Sequence, residues 1–168
     1  GVALATALYV ALYSHFNPDL TSDFDQVWAA ARALLAGDNP YEVIGYAKPF
    51  YWWWPFYYPL PAAVITLPLG FLPVLAARAA FTGVSAGLLA WGLTRDGWAR
   101  LPAFLSIPFF VSIELAQWAP LITAALLIPS LSWVGTAKPN WGVAIVAGAS
   151  SPRIWKPLLT GTVIVLVI

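Results

Sequence analysis

The hydrophobic pattern divides the chain unevenly. Residues 1–13 (GVALATALYVALY) are apolar and helical in composition. They are followed by one long mixed segment, 14–58, after which apolar runs return at roughly 59–76, 79–94, 101–134, 141–150 and 157–168. A span needs about 20 apolar residues at about 1.5 Å per residue, so the 101–134 run is too long for one crossing. It reads as two helices, or one broken helix, with the break between Glu114 and Pro120. The 59–76 run carries Pro68 and Pro73, and the 79–94 run is bounded by Arg78 and Arg95. The pattern predicts an all-α, polytopic transmembrane helix bundle of six or seven membrane segments. The whole of 1–168 forms one integral membrane domain, and 14–58 is its first large loop.

Within that loop, DFDQVWAAARALLAG has helical periodicity. Phe24, Val27, Trp28, Ala31, Leu34 and Leu35 fall at i, i+3, i+4, i+7, i+10 and i+11, one continuous stripe. Ser22 or Asp23 can cap its start, with Gln26 three residues after Asp23 as in a capping box. Gly37 ends it, and Asp38-Asn39-Pro40 stops its continuation. The expectation is an interfacial amphipathic helix over 23–36, lying on the membrane with its apolar stripe down.

Composition agrees with a bilayer as solvent. The chain is 61% hydrophobic and 9% charged, and its mean hydropathy is +0.78. Soluble domains carry about 25% charged residues. A net charge of +1 with no basic run argues against nucleic acid. The absence of cysteine excludes disulfides and thiolate metal sites, and the single histidine excludes a His-based one. The chain has no methionine and stops inside TVIVLVI, which reads as a portion of a longer protein. Its apolar opening has no basic region before it, so it does not read as a cleavable signal. With 14–58 outside, alternating loops leave Arg78, Arg153 and Lys156 inside, and Arg32, Lys48, Arg95, Arg100 and Lys138 outside. That distribution runs against the positive-inside rule.

Candidate chemistry gathers in the mixed segment. Five of the seven acids, Asp19, Asp23, Asp25, Asp38 and Glu42, fall between 19 and 42. Asp23 and Asp25 at a membrane face can serve as a general base or admit a divalent cation. They can equally be a helix cap, worth about 1 kcal/mol, and a first-turn acid, worth about 0.3–1 kcal/mol. The stretch YAKPFYWWWPFYYPLP holds nine aromatics in sixteen residues. It is either an interfacial belt or a stacking groove for a sugar or prenyl chain, with Trp53 central. Glu114 and Gln117 sit in an apolar run, where an acid is either a functional group or an interfacial one. Arg153 and Lys156-Pro157 at a helix start suit a phosphate or anchor the helix.

The order of these elements resembles the polytopic C-type glycosyltransferases, specifically the polyprenyl-phosphate-mannose-dependent mannosyltransferases of glycosyltransferase family 87. The resemblance is carried by DFDQVWAAARALLAGDNPY, then FYYPLP with PLGFLP behind it, then an Ala116-Gln117 pair, then Lys156-Pro157. It implies that Asp23, the acid of the Asp-Phe pair, is the catalytic base. Arg32, Gly37, Pro40 and Tyr41 match the helix and its stop, and Tyr58-Pro59 match the Tyr-Pro opening the next span. Gln117 matches a Gly-Gln pair, with Ala116 where the family has glycine. Leu60 stands at the family's second proline, with Pro61 one place later.

The implied partners are a polyprenyl-phosphate-linked sugar, membrane lipids and further membrane subunits. The implied location is the bacterial cell (inner) membrane. No resident cofactor is expected. Asp23 and Asp25 are the catalytic candidates. Arg32, Tyr41, Lys48, Trp53, Tyr58, Gln117 and Lys156 are the substrate-binding ones, with Arg32, Lys48 or Lys156 facing the leaving phosphate. The competing reading is a non-catalytic transmembrane scaffold or accessory subunit, in which Asp23 merely caps its helix. A transporter would instead need Glu114 at the bilayer midplane, facing a cavity.

Overall fold

A computed structural model describes residues 1–148, 153 and 155–167. The protein is built almost entirely of helices. They are α1 (Val2–Phe16), α2 (Asp23–Ala36), α3 (Pro40–Val43), α4 (Leu60–Thr66), α5 (Val74–Thr94), α6 (Ile107–Glu114), α7 (Ala119–Leu127), α8 (Pro139–Gly148) and α9 (Trp155–Val167). Short 3₁₀ turns occupy Leu67–Leu69, Leu101–Leu105 and Pro129–Ala137. The extended pairing among the described residues is a parallel clasp of two residues a side, β1 (Ile44–Gly45) with β2 (Phe50–Tyr51).

Helices α1 and α5 pack antiparallel through small residues. A Cβ built on Gly83 would lie 2.8 Å from the Ala7 Cβ and 2.9 Å from the Ala3 carbonyl, and one on Gly87 would lie 2.8 Å from the Ala3 Cβ. Gly83 and Gly87 are spaced four apart, and so are Ala3 and Ala7. This is the small-xxx-small pairing that brings helix backbones into contact in lipid. Gly83→Leu is expected to destabilise the protein by about 1–3 kcal/mol through overpacking, measurable as a lowered unfolding midpoint in detergent.

Polarity across α1 is inverted relative to a soluble helix. Thr6, Val10 and Ser14 are buried, whereas Leu4, Leu8, Leu12 and Phe16 form an exposed apolar row. On α5 the exposed apolar residues include Val84 and Trp91, while Thr82 and Ser85 are buried. Buried hydroxyls on these helices bond to carbonyls one turn back, Thr82 Oγ1 to Arg78 O at 2.8 Å and Ser85 Oγ to Phe81 O at 2.6 Å.

Several expectations change. Among the described residues, Val74–Thr94 is the one helix long and apolar enough to cross a membrane alone. The broken pair α6 and α7, bent by 119°, passes the same test if counted as a single span. The break falls where the overlong apolar run required one. The 59–76 run is no continuous span: Pro68, Gly70 and Pro73 divide it into a seven-residue helix, a 3₁₀ turn and a loop. The carbonyls freed there are captured from α2, Gly70 O by Arg32 Nη1 at 3.5 Å and Leu72 O by Trp28 Nε1 at 3.0 Å. The expected spans at 141–150 and 157–168 fall on α8 and α9, of ten and thirteen residues, with 149–152, 154 and 168 outside the described residues.

Arg78 is no loop charge. It lies inside α5, buried, with its guanidinium bonded to Leu20 O at 3.0 Å and to Asp25. Its level in the fold is therefore that of the segment following α1, and the crossing expected between Tyr58 and Arg78 disappears.

Helix α2 also differs from the surface helix expected. Phe24, Val27 and Ala31 of the predicted stripe are buried, and so are Ala29, Ala30 and Ala33 beside it, because α4 and α5 cover it. Phe24 stacks on Phe81 of α5 with ring centroids 4.6 Å apart. Alanine permits that close approach, and Leu35 alone of the stripe remains strongly exposed.

Candidate active site

The site is built on the first turn of α2. Ser22 takes the N-cap position in an extended conformation. Its backbone N–H donates to Asp25 Oδ2 at 2.9 Å, and its hydroxyl donates to Asp25 Oδ1 at 2.7 Å. The capping partner is therefore Asp25, not the expected Gln26, because the helix begins one residue after Ser22 and Asp25 occupies its third position. Arg78 completes the arrangement as a fork, Nε to Oδ1 at 2.7 Å and Nη2 to Oδ2 at 2.5 Å. Both oxygens of Asp25 are occupied and its side chain is only 6% exposed.

Asp23 is left in a different position. It is half-buried, and its backbone N–H donates to Leu115 O at 3.1 Å. That bond joins α2 to the break between α6 and α7. There Ala116 adopts φ of 45°, a left-handed conformation that favours glycine. The turn presents Gln117, whose Nε2 donates to Asp23 Oδ2 at 3.3 Å. Two residues 94 positions apart thus meet because a strained turn ends α6 at this level.

Tyr58 forms the adjoining wall. It precedes α4 in the loop, and its carbonyl accepts a hydrogen bond from the Tyr41 hydroxyl at 3.1 Å. Tyr41 in turn lies against buried Phe56, centroids 5.3 Å apart. Burial, and secondarily the Asp23 charge, push the Tyr58 phenol up to about 12. The phenol therefore stays protonated across physiological pH and remains a donor. The Lys138 ammonium sits 5.7 Å over the same ring. A cavity of about 200 Å³ opens here, lined by Tyr57, Tyr58, Pro59, Lys138 and Asn140 among others.

The raised value has a sign. The fold favours neutral Tyr58, so its contribution to stability is full below pH 10 and is lost as pH rises through about 12. A difference ultraviolet titration of wild type against Tyr58→Phe is expected to show a phenol ionising near pH 12 instead of near 10.

The remaining sequence candidates lie apart from Asp23. Arg32 is nine residues along α2, about 13 Å on and on the opposite face, where it covers Trp28 at 5.1 Å. Lys48 is exposed in the turn between β1 and β2. Trp53 is exposed and meets Tyr51 edge-on at 5.5 Å, in an aromatic rim with Tyr46, Trp54 and Tyr57. Lys156 is exposed in the first turn of α9. Among the described residues, none of these four bonds to Asp23. Glu114 ends α6 and accepts a 2.5 Å hydrogen bond from Tyr9 of α1.

Asp25 is engaged by Arg78, so the two carboxylates do not assemble the cation seat that their spacing allowed. Among the described residues, no three His, Cys, Asp or Glu side chains converge as metal ligands. Sequence reasoning did not single out Lys138 or the Asp25–Arg78 pair. Comparison of the chain with protein-family models, curated proteins and solved structures finds no match.

Proposed function

We propose that this chain is the catalytic portion of an integral membrane glycosyltransferase, which moves a mannose-like sugar from a polyprenyl-phosphate donor to a hydroxyl of a lipid or glycan acceptor. The observation that carries the reading is the division of labour between two neighbouring acids. Asp25 and Ser22 hold the helix start, so Asp23 is released from capping and faces Gln117 and the Tyr58 wall. A scaffold would have used Asp23 as the cap.

The membrane setting is supported by the outward apolar rows of α1 and α5 and by their small-residue contact. The exposed aromatic rim around Trp53 suits the bilayer interface, where rings with one polar end collect. The bacterial cell membrane and the mannose-like sugar come from the family resemblance.

In the proposed reaction Asp23 accepts the proton of the acceptor hydroxyl as that oxygen bonds to the anomeric carbon. The bond from that carbon to the phosphate oxygen breaks, and its electron pair leaves with the polyprenyl phosphate. Asp23 then returns its proton to water. Gln117 orients the carboxylate, and Tyr41 braces the Tyr58 loop. The test is transfer of labelled mannose from polyprenyl-phosphate mannose by the full-length gene product in membranes. Transfer above vector-only membranes is expected, and no transfer from any of a panel of lipid-linked sugars would contradict the proposal.

A further inference from the structure

The leaving phosphate in this reaction needs a cation, and the residues expected to supply it, Arg32, Lys48 and Lys156, do not bond to Asp23. We infer that Lys138 and the cavity beside Tyr58 form the anion subsite, which takes the phosphate of the lipid-linked donor. The inference rests on the transferase reading for its choice of ligand, and on the geometry for its position.

Lys138 is held by its backbone. It closes the Pro129–Ala137 turn and precedes α8, where its carbonyl accepts the Trp141 and Gly142 N–H groups at 2.9 Å each. A Cβ at Gly142 would lie 2.8 Å from Gly135 O, so the two glycines let the chain segments on either side of Lys138 touch. The lysine thus projects from a tightly closed turn. Its side chain is half-buried over Tyr58, and among the described residues it has no carboxylate partner. Arg78, by contrast, is consumed by Asp25. Arg32 and Arg95 also lie over rings, at 5.1 Å from Trp28 and 6.0 Å from Trp91, but neither of those rings is Tyr58.

Position and size both suit a headgroup. Tyr58 feels the charge of Asp23 and carries the Lys138 ammonium over its ring, so base and cation share one neighbour. A cavity of about 200 Å³ is smaller than the ~300–1,000 Å³ of pockets that enclose drug-sized ligands, so it fits a phosphate headgroup and not the lipid chain. Lysine is a point-charge phosphate binder, and the protonated Tyr58 phenol adds a neutral donor beside it.

The experiment measures binding to the full-length protein in nanodiscs of zwitterionic lipid, with a short-chain prenyl phosphate and with inorganic phosphate as separate probes. Lys138→Gln is expected to weaken prenyl-phosphate binding about 10- to 100-fold, the scale of one charge-assisted contact. Lys138→Arg should retain binding, and Arg95→Gln, a charge loss elsewhere, should leave it unchanged. Equal affinity of wild type and Lys138→Gln overturns the inference. Inorganic phosphate bound as tightly as the prenyl phosphate, with the same Lys138 dependence, overturns its assignment to a lipid-linked ligand. Lys138-dependent binding without any sugar transfer by the wild type upholds the subsite and removes the transferase reading. Asp23-dependent transfer with Lys138-independent binding does the reverse.

Discussion

Arg78→Ala is expected to destabilise the protein by about 3–5 kcal/mol, a large share of the roughly 5–15 kcal/mol that holds an ordinary domain folded. The substitution strands the Asp25 carboxylate in a site where its side chain is 6% exposed, with only Ser22 left to serve it. It also frees Leu20 O, which the same guanidinium satisfies. Arg78→Lys is expected to rescue only part of the loss, because an ammonium cannot reproduce the two-pronged contact to Oδ1 and Oδ2. Replacing Arg78 and Asp25 together by apolar residues removes both charges and is expected to cost less than Arg78→Ala alone. Unfolding midpoints of the three variants in detergent, set against wild type, provide the check.

Asp23→Asn is expected to behave in the opposite way, folding normally and losing transfer by about 10²- to 10⁴-fold, the range of a positioned general base. Folding should survive because the helix start is capped by Ser22 and Asp25, and because Asp23 meets Leu115 through its backbone N–H. The amide keeps the size of the side chain but cannot take a proton from a hydroxyl. Stability and catalysis thus separate across two acids that sit two residues apart in the sequence.

That separation was the part least legible in the sequence. Asp23 and Asp25 look alike at a helix start, and nothing local says that Arg78, 53 residues away, selects one of them. Arg78 itself sits at the edge of an apolar run, where a flanking charge and a buried ion-pair partner leave the same trace. The stop of α2 was legible because glycine can take the left-handed conformation that Gly37 shows, with φ of 82°. The break between α6 and α7 was legible from length, since the apolar run exceeds any single span. The broken 59–76 segment was announced by Pro68 and Pro73, yet the count of crossings treated it as continuous.

Tyr58 and Gln117 were singled out through the order of motifs; Gln117 bonds to Asp23 in the structure, and Tyr58 lies near enough to feel its charge. Lys138 went unnoticed because the Lys-Pro pair of the resemblance was matched to Lys156-Pro157, although Lys138-Pro139 is the same pair before a helix. It acquires meaning only when the turn closed by Gly135 and Gly142 lays it over Tyr58. The Gly83 and Gly87 contact with α1 was not read from the sequence; the packing identifies which small residues touch.

The most direct measurement is sugar transfer from labelled polyprenyl-phosphate mannose by purified full-length wild type, Asp23→Asn and Asp25→Asn in proteoliposomes, with folded protein quantified in each. The account predicts folded but inactive Asp23→Asn, and Asp25→Asn that is poorly folded yet active in proportion to what remains folded. Full activity per folded molecule in Asp23→Asn would contradict it.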